Sequence, residues 1–438
     1  MSKRITIIGG GSSTFTPQLM QLFIGSEALR GSTVVLMDVD ARRLQVMDTL
    51  SRQLVASLGA DLQVESTTDQ RAALTGADFV ITAISVGGMD AWERDIEIPA
   101  TYGVYMPIAD SIGPGGIMRA FRHIPVLVSV ARDLEAVSPG AWLFNYSNPL
   151  TSNCIAVNRA TRIKTAGLCT CSSVPRRPDY LANYGGVAAE DLAMPAPSAG
   201  LNHCAAILQL KLKDGRDAFP LIRAAATQPV VKWGLETYNI LPYCWTHWTE
   251  FYPQFTRLDE PYRGRLQGLK TRYANAVHDM VGERARAQRW EDLAGRLARG
   301  EQAFSTDVLP KDEAVQVVDI MEALIRGRNE VHVVNVPNRG AIDNLPYDAI
   351  VEVSSLVGSY GIQPLHVGPL PEPVAAMLRL HITAQELTVQ AALSGDRKLA
   401  LQAFLADPQV AMALTPEEAG KLLDELLKAH APHLPQFA

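Results

Sequence analysis

Cysteine is scarce in this chain and odd in number, basic charge is not in surplus, and no apolar run is long. Each shortage excludes something. Five cysteines, at 154, 169, 171, 204 and 244, spread over 438 residues do not make the disulfide framework of a small secreted domain. Reduced thiols, structural or metal-binding, are expected instead. A net charge of −6 lacks the basic face that a phosphate backbone demands, so no nucleic-acid partner is expected. Cationic runs such as Arg176–Arg177 are short and read as solvated. The apolar run after the first residues stops at Gly9, too early for a secretory core, and nothing reaches membrane-spanning length. No membrane partner and a cytoplasmic location are therefore expected.

An apolar content of 47% with 20% charged residues is that of a soluble globular protein. The length predicts two large domains. Over the first third, strand and helix patterns alternate. "RITIIG" (4–9), "TVVLMDVD" (33–40), "LQVEST", "DFVITAIS" and "AWLFNYSN" read as strands. "TPQLMQLFIG" (16–25), "ARRLQVMDTLSRQLVASLG" and "GGIMRAFRHIPVLVSVARDLEAV" read as helices between them. That order predicts βαβ units and an α/β fold with an N-terminal Rossmann-type, doubly wound parallel sheet at residues 1–166. Residues 167–438 read as a mixed α+β second domain, to which the resemblance described below assigns substrate and metal. Its expected parts are one half-buried strand, "AAILQLKL" near 205–212, strands near 330–335 and 348–354, and helices at 262–300 and 372–405. The stretch 229–262, rich in Trp, Tyr and Pro, reads as a binding loop.

"IIGGGSSTFTP" follows a strand and opens a helix. Gly9 and Gly11 fit the first positions of a dinucleotide fingerprint, with Thr14 where the third glycine belongs. Backbone N–H groups across Ser12, Ser13 and Thr14 would cradle a pyrophosphate. Asp38 ends the second strand, where a carboxylate takes the ribose hydroxyls, so NAD⁺ is favoured over NADP⁺. Ser85, closing the "DFVITAIS" run, is assigned to the same cofactor. The bland alternative is a tight glycine turn with a surface aspartate.

"AGLCTCS" and "GLNH" supply thiols and a histidine. A lone histidine is more often structural than a ligand, and His203 and Cys204 would face opposite ways in a strand. Cysteines 169 and 171 are equally consistent with packing.

A wider resemblance changes that balance. The stretches "IIGGGSSTFTPQL", "DSIGPGGIMRAFRHIPV", "FNYSNPLT", "AGLCTCS", "GLNH", "EFYP" and the C-terminal "VEVSSLVGSYGIQPLHVGPLP" and "QELTVQAALSGDRKLALQAF" run in order over nearly the whole chain. Together they resemble glycoside hydrolase family 4, the NAD- and divalent-metal-dependent glycosidases, which stand outside the usual two-carboxylate mechanism. The resemblance implies one divalent metal, usually Mn²⁺, between Cys169 and His203, and Asn148 against substrate hydroxyls. It implies a cycle in which NAD⁺ takes hydride from C3 of a sugar, a base removes the C2 proton, and the aglycone leaves by β-elimination. Water then adds and the hydride returns. It also implies a small-molecule glycoside as substrate and a homodimer or homotetramer.

The chain departs from the family at two places. Thr170 follows the metal cysteine, where phosphoglycosidases tend to have Asp or Asn and enzymes on unphosphorylated sugars often have His. In "YNILPYCWTHWTEFYP", Trp245 stands near where a base aligns, leaving Tyr243 as first candidate base and Tyr238 as second, each otherwise a pocket-lining aromatic. His247 and Glu250 match a family His–Glu pair, for acid chemistry, substrate contact or loop support. Asp110 would lie near the nicotinamide or substrate, and Arg94 and Arg119 would anchor hydroxyls or a carboxylate. The expected function is hydrolysis of an unphosphorylated O-glycoside. The alternatives are a 6-phosphoglycosidase of the same family, a 2-hydroxy-acid dehydrogenase and a non-catalytic NAD sensor.

Overall fold

Short runs of Ile, Val, Leu and Phe that stop at Gly, Asn or Ser leave little choice but buried strands. In the computed structural model of the chain, residues 2–106, 108–253, 269–309 and 315–438 are described, with 245–246 and 269–281 as backbone only. The first six strands are β1 (Arg4–Ile8), β2 (Ser32–Met37), β3 (Leu62–Thr67), β4 (Phe79–Thr82), β5 (Trp142–Asn145) and β6 (Lys164–Gly167). They lie parallel in the order β3-β2-β1-β4-β5-β6, which is the doubly wound arrangement expected. Register is pinned by apolar pairs such as Ile5 opposite Val34 and Phe79.

The sheet does not end at β6. Antiparallel strands continue it: β8 (Ser198–Leu201), β9 (Cys204–Ile207), β11 (Leu241–Pro242), β12 (Glu330–Pro337), β13 (Ile350–Gly358) and β14 (Gly361–Pro364). Only β7 (Leu192–Ala193) and β10 (Lys211–Leu212) form a separate pair. The junction is narrow: Asn335 of β12 pairs with Gly167 of β6. A division at 166/167 falls within β6, whose Gly167 pairs in parallel with Asn145 and antiparallel with Asn335 inside one continuous sheet of 12 strands.

Three expectations change. The single strand foreseen near 205–212 is two, and β9 is fully buried because β8 and β11 flank it. The helix expected over 372–405 breaks at Gly395, whose φ of +69° ends the helix Glu372–Ser394, and Asp396 caps the next one, Arg397–Ala406. The aromatic stretch after 229 is not one loop, up to its last described residue, 253: it holds a helix at Pro229–Thr237, and Trp248, Phe251 and Tyr252 are buried, while Lys232, Glu236 and Asn239 are exposed. Its residues 254–262 lie outside the described residues, as does the start of the helix expected from 262, which is seen over Leu269–Ala298. A helix at Gly88–Thr101 was not foreseen. Among the described residues no helix is long and apolar enough to cross a membrane.

Candidate active site

Loops leaving the C-terminal ends of β1, β4, β5 and β6 converge, as the switch point of a doubly wound sheet requires. The first is the glycine loop. Gly9 has φ +92°, and a Cβ there would stand 2.3 Å from the Ala83 carbonyl oxygen, so only glycine fits. Gly11 N–H donates to Asp38 Oδ2 at 2.9 Å, tying loop to second strand. Ser12 Oγ accepts from Phe15 N–H at 3.0 Å. Among the described residues the backbone N–H groups of Ser13 and Thr14 find no protein acceptor. Open donors at the start of the helix Phe15–Gly25 suit a phosphate. A roof that the sequence did not disclose comes from the helix Leu269–Ala298. Trp290 Nε1 donates to the Ser13 carbonyl at 2.9 Å, and Thr14 Oγ1 donates to Glu283 Oε2 at 2.8 Å.

The cysteine loop and the "GLNH" turn meet across the sheet. Asn202 and His203 form the two-residue link between β8 and β9, where Leu201 pairs with Cys204. His203 therefore sits at a hairpin tip, not within a strand, at the sparsely occupied φ of +69°. Its Nε2 lies 3.3 Å from Cys169 Sγ. A sulfur and a nitrogen bound to one ion at ~2.3 and ~2.1 Å stand roughly 3.1–3.6 Å apart for angles of 90–110°, so the pair fits a shared divalent cation. Without one, the neighbouring Cys171 sulfur and burial push the Cys169 thiol up.

From that pair a file of contacts runs to Ser85, just after β4. Ser111 Oγ meets His203 Nδ1 at 2.9 Å and donates to Asp110 Oδ1 at 2.7 Å. Asn148 Nδ2 donates to Asp110 Oδ2 at 2.6 Å. Arg119 Nε donates to the Asn148 carbonyl at 3.2 Å, and its terminal nitrogen reaches Ser85 Oγ at 3.5 Å. Burial pushes Asp110 upward, but the positive fields of His203, His247 and Arg119 and the Ser111 bond outweigh it and hold the carboxyl below its usual range.

Glu250 is the counterpart. It is wholly buried, with Oε1 taking the N–H groups of Ile108 and Ala109 at 2.7 and 3.3 Å. Its Oε2 has no partner among the described residues. Burial pushes this carboxyl up to about 7 against the opposing field of His247. The His247 ring stacks on His203 at 3.8 Å.

The other expected residues lie apart. The Tyr243 hydroxyl donates to Glu352 Oε1 at 2.6 Å in a fully buried network, and burial and that carboxylate push the phenol well up, away from service as a base. Tyr238 packs edge-on against Trp233 at 5.0 Å, with its phenol raised by burial. Arg94 is on the surface, bonded to the Ala429 carbonyl at 2.8 Å. Thr170 is exposed.

Two residues were missed. Ser111 had a signal, being adjacent to Asp110 in "DSIGPGG". Glu352 had a stronger one, a lone carboxylate inside the apolar run "IVEVSSLVG", which no buried strand carries without donors. Its Oε2 accepts from Ser172, Asn202 and Asn335 at 2.9, 3.0 and 2.9 Å.

Residues 4–176 match the family 4 glycosyl hydrolases, and residues 198–410 match the family 4 glycosyl hydrolase C-terminal domain. The chain belongs to glycosyl hydrolase family 4. It is 32% identical to an alpha-galactosidase of Bacillus subtilis over 99% of this chain and 100% of that one. It is 32% identical to an alpha-glucosidase of Erwinia rhapontici over 93% and 94% of the two chains. The fold is shared with a 6-phospho-alpha-glucosidase from gut microorganisms, crystallised with NAD and Mn²⁺, at a TM-score of 0.85, with 23% identity and full coverage of both chains. A family 4 hydrolase is not a 2-hydroxy-acid dehydrogenase, and that alternative falls.

Proposed function

We propose that this family 4 hydrolase cleaves an unphosphorylated O-glycoside by oxidation at C3, proton removal at C2 and elimination of the aglycone. The observation that carries the reading is the file of contacts Cys169–His203–Ser111–Asp110–Asn148–Arg119–Ser85, which runs from a metal-competent pair to the residue after β4 assigned to the cofactor. Cys169 and His203 would hold the divalent ion, Mn²⁺ as in the related structure, and Gly9, Gly11, Ser12, Ser13, Thr14, Asp38 and Ser85 would hold NAD⁺. When bound, these groups supply hydride transfer at C3 and polarisation of the neighbouring sugar oxygens.

The chain's own residues do the rest. Asp110, kept ionised and held by Ser111 and Asn148, is the carboxylate placed to accept the C2 proton. Glu250, its carboxyl pushed up to about 7 by burial and within the field of His247, would return a proton to the leaving oxygen in place of the acid absent at Thr170. Two carboxyls driven in opposite directions are the usual mark of a base and an acid. Asn148 and Arg119 orient sugar hydroxyls. Two features support an unphosphorylated sugar: Thr170 is not the Asp or Asn of phosphoglycosidases, and Arg94 is turned to the Ala429 carbonyl.

The deciding experiment offers aryl α- and β-glycosides, with and without a 6-phosphate, together with Mn²⁺, NAD⁺ and a reductant in D₂O. Release of the aryl alcohol from unphosphorylated members, with deuterium at C2 of the sugar, is expected. Turnover without C2 exchange, or indifferent to chelator and NAD⁺ removal, overturns the mechanism. Turnover of the 6-phosphates alone overturns the substrate class.

A further inference from the structure

Beside the Cys169–His203 pair lies a second group of soft donors that the proposed reaction does not use as ligands. Cys244 and His247 stand three apart at the start of the short helix Trp245–Trp248, a Cys-x-x-His spacing that puts both side chains on one side of a turn. Cys244 Sγ lies 3.4 Å from His247 Nδ1. Cys171 comes from the turn that follows β6. One donor atom from each of Cys171, Cys244 and His247 lies within 4.8 Å of the others.

We propose that Cys171, Cys244 and His247 form a second metal site, selective for a thiophilic d¹⁰ cation such as Zn²⁺. Tetrahedral coordination at ~2.3 Å to sulfur and ~2.1 Å to nitrogen sets donors about 3.6–3.8 Å apart, so closing the cluster needs shifts of about 1 Å or less. The donor sets separate the two sites. One thiolate with one imidazole and open oxygen positions suits Mn²⁺ and its neighbours, whereas two thiolates with an imidazole favour Zn²⁺ and Cd²⁺. Cys171 is half-buried, which leaves the fourth position for water. Binding releases one proton from each thiol to solvent as each metal–sulfur bond forms. An occupied site would clamp the cysteine loop to the segment bearing His247, whose ring covers His203.

Cd²⁺ is the probe, added to the full chain and followed by equilibrium dialysis and by thiolate-to-cadmium charge-transfer absorbance. The unaltered chain is expected to bind a second ion, and the Cys171→Ser Cys244→Ser variant to lose that ion alone. Absorbance per ion in a Cys169→Ser His203→Ala variant should be about twice that in the Cys171→Ser Cys244→Ser variant, two thiolates against one. Total absorbance of the saturated unaltered chain, equivalent to three thiolates, decides the matter without any variant. A single ion bound per unaltered chain, or a second ion retained when Cys171 and Cys244 are both serine, overturns the site.

Discussion

Tyr243 and Glu352 hold each other in the floor of the site, the phenol donating at 2.6 Å to a carboxylate that also collects Ser172, Asn202 and Asn335. Ser172 lies three residues past Cys169, and Asn202 directly precedes His203. Glu352 therefore ties together the segments that carry Cys169 and His203. Tyr243→Phe removes one bond to a buried charge, expected to destabilise the fold by about 2 kcal/mol in urea titrations. C2 deuterium exchange should stay within about tenfold of the unaltered enzyme, whereas Asp110→Asn should lower it on the order of a hundredfold or more. The reverse ranking would return Tyr243 to the role of base.

Loss of either proposed metal donor should be severe. Cys169→Ser and His203→Ala are expected to lower hydrolysis by roughly 10³ and to release Mn²⁺ in dialysis. Cys171→Ser should keep most of the activity. A dead Cys171→Ser beside an active Cys169→Ser would exchange their assignments.

Glu250 makes stability depend on pH with a definite sign. Its folded value of about 7 exceeds the ordinary 4.5, so the folded chain holds the proton after the unfolded chain has released it. Stability attributable to this group falls as pH rises through that window and is constant above it, a change of roughly 3 kcal/mol. Urea titrations from acid to neutral pH should show the decline, and Glu250→Gln should flatten it. An equal slope in both proteins would mean that Glu250 titrates normally.

Gly9 leaves no room for a side chain, at φ +92° and 2.3 Å from the Ala83 oxygen. Gly9→Ala should weaken NAD⁺ by at least about tenfold in a direct binding titration, through displacement of the loop. Unchanged affinity would show that the dinucleotide lies elsewhere.

Asp95 and Arg122 form a bidentate pair at 2.9 and 2.6 Å with both side chains buried, and Arg122 Nε also donates to the Val86 carbonyl at 3.2 Å. The Val86 N–H is held by His123 Nε2 at 3.0 Å, which burial keeps unprotonated. Asp95→Ala would strand the guanidinium and is expected to cost about 3–5 kcal/mol in unfolding free energy. A loss under about 1 kcal/mol would mean that water reaches Arg122.

The parallel half of the fold was legible because its signals are local: apolar runs ending in glycine, and helices of regular period between them. The antiparallel half was legible only in its long strands, Glu330–Pro337 and Ile350–Gly358. Its strands Ser198–Leu201, Cys204–Ile207 and Leu241–Pro242 are too short to show a period, and long-range pairing defines them. The same division runs through the site. Gly9, Asp38, Cys169 and His203 lie in compact motifs, whereas the opposed behaviour of Asp110 and Glu250 depends on burial across 140 residues of sequence. Tyr243 is a similar case, since a tyrosine in a loop reads as available until Glu352 is seen to hold it.

Cys169 hangs from the last parallel strand and His203 from the tip of an antiparallel hairpin, while the sheet between them is joined to β6 by the Asn335–Gly167 pairing. An ion shared by the two side chains is thus a staple across the seam of the sheet. Folding and metal loading are linked, and the thermal midpoint should climb with free Mn²⁺, by an amount equivalent to about 2.7 kcal/mol at a hundred times the dissociation constant. A calorimeter can thereby read the occupancy of this centre in the absence of any sugar.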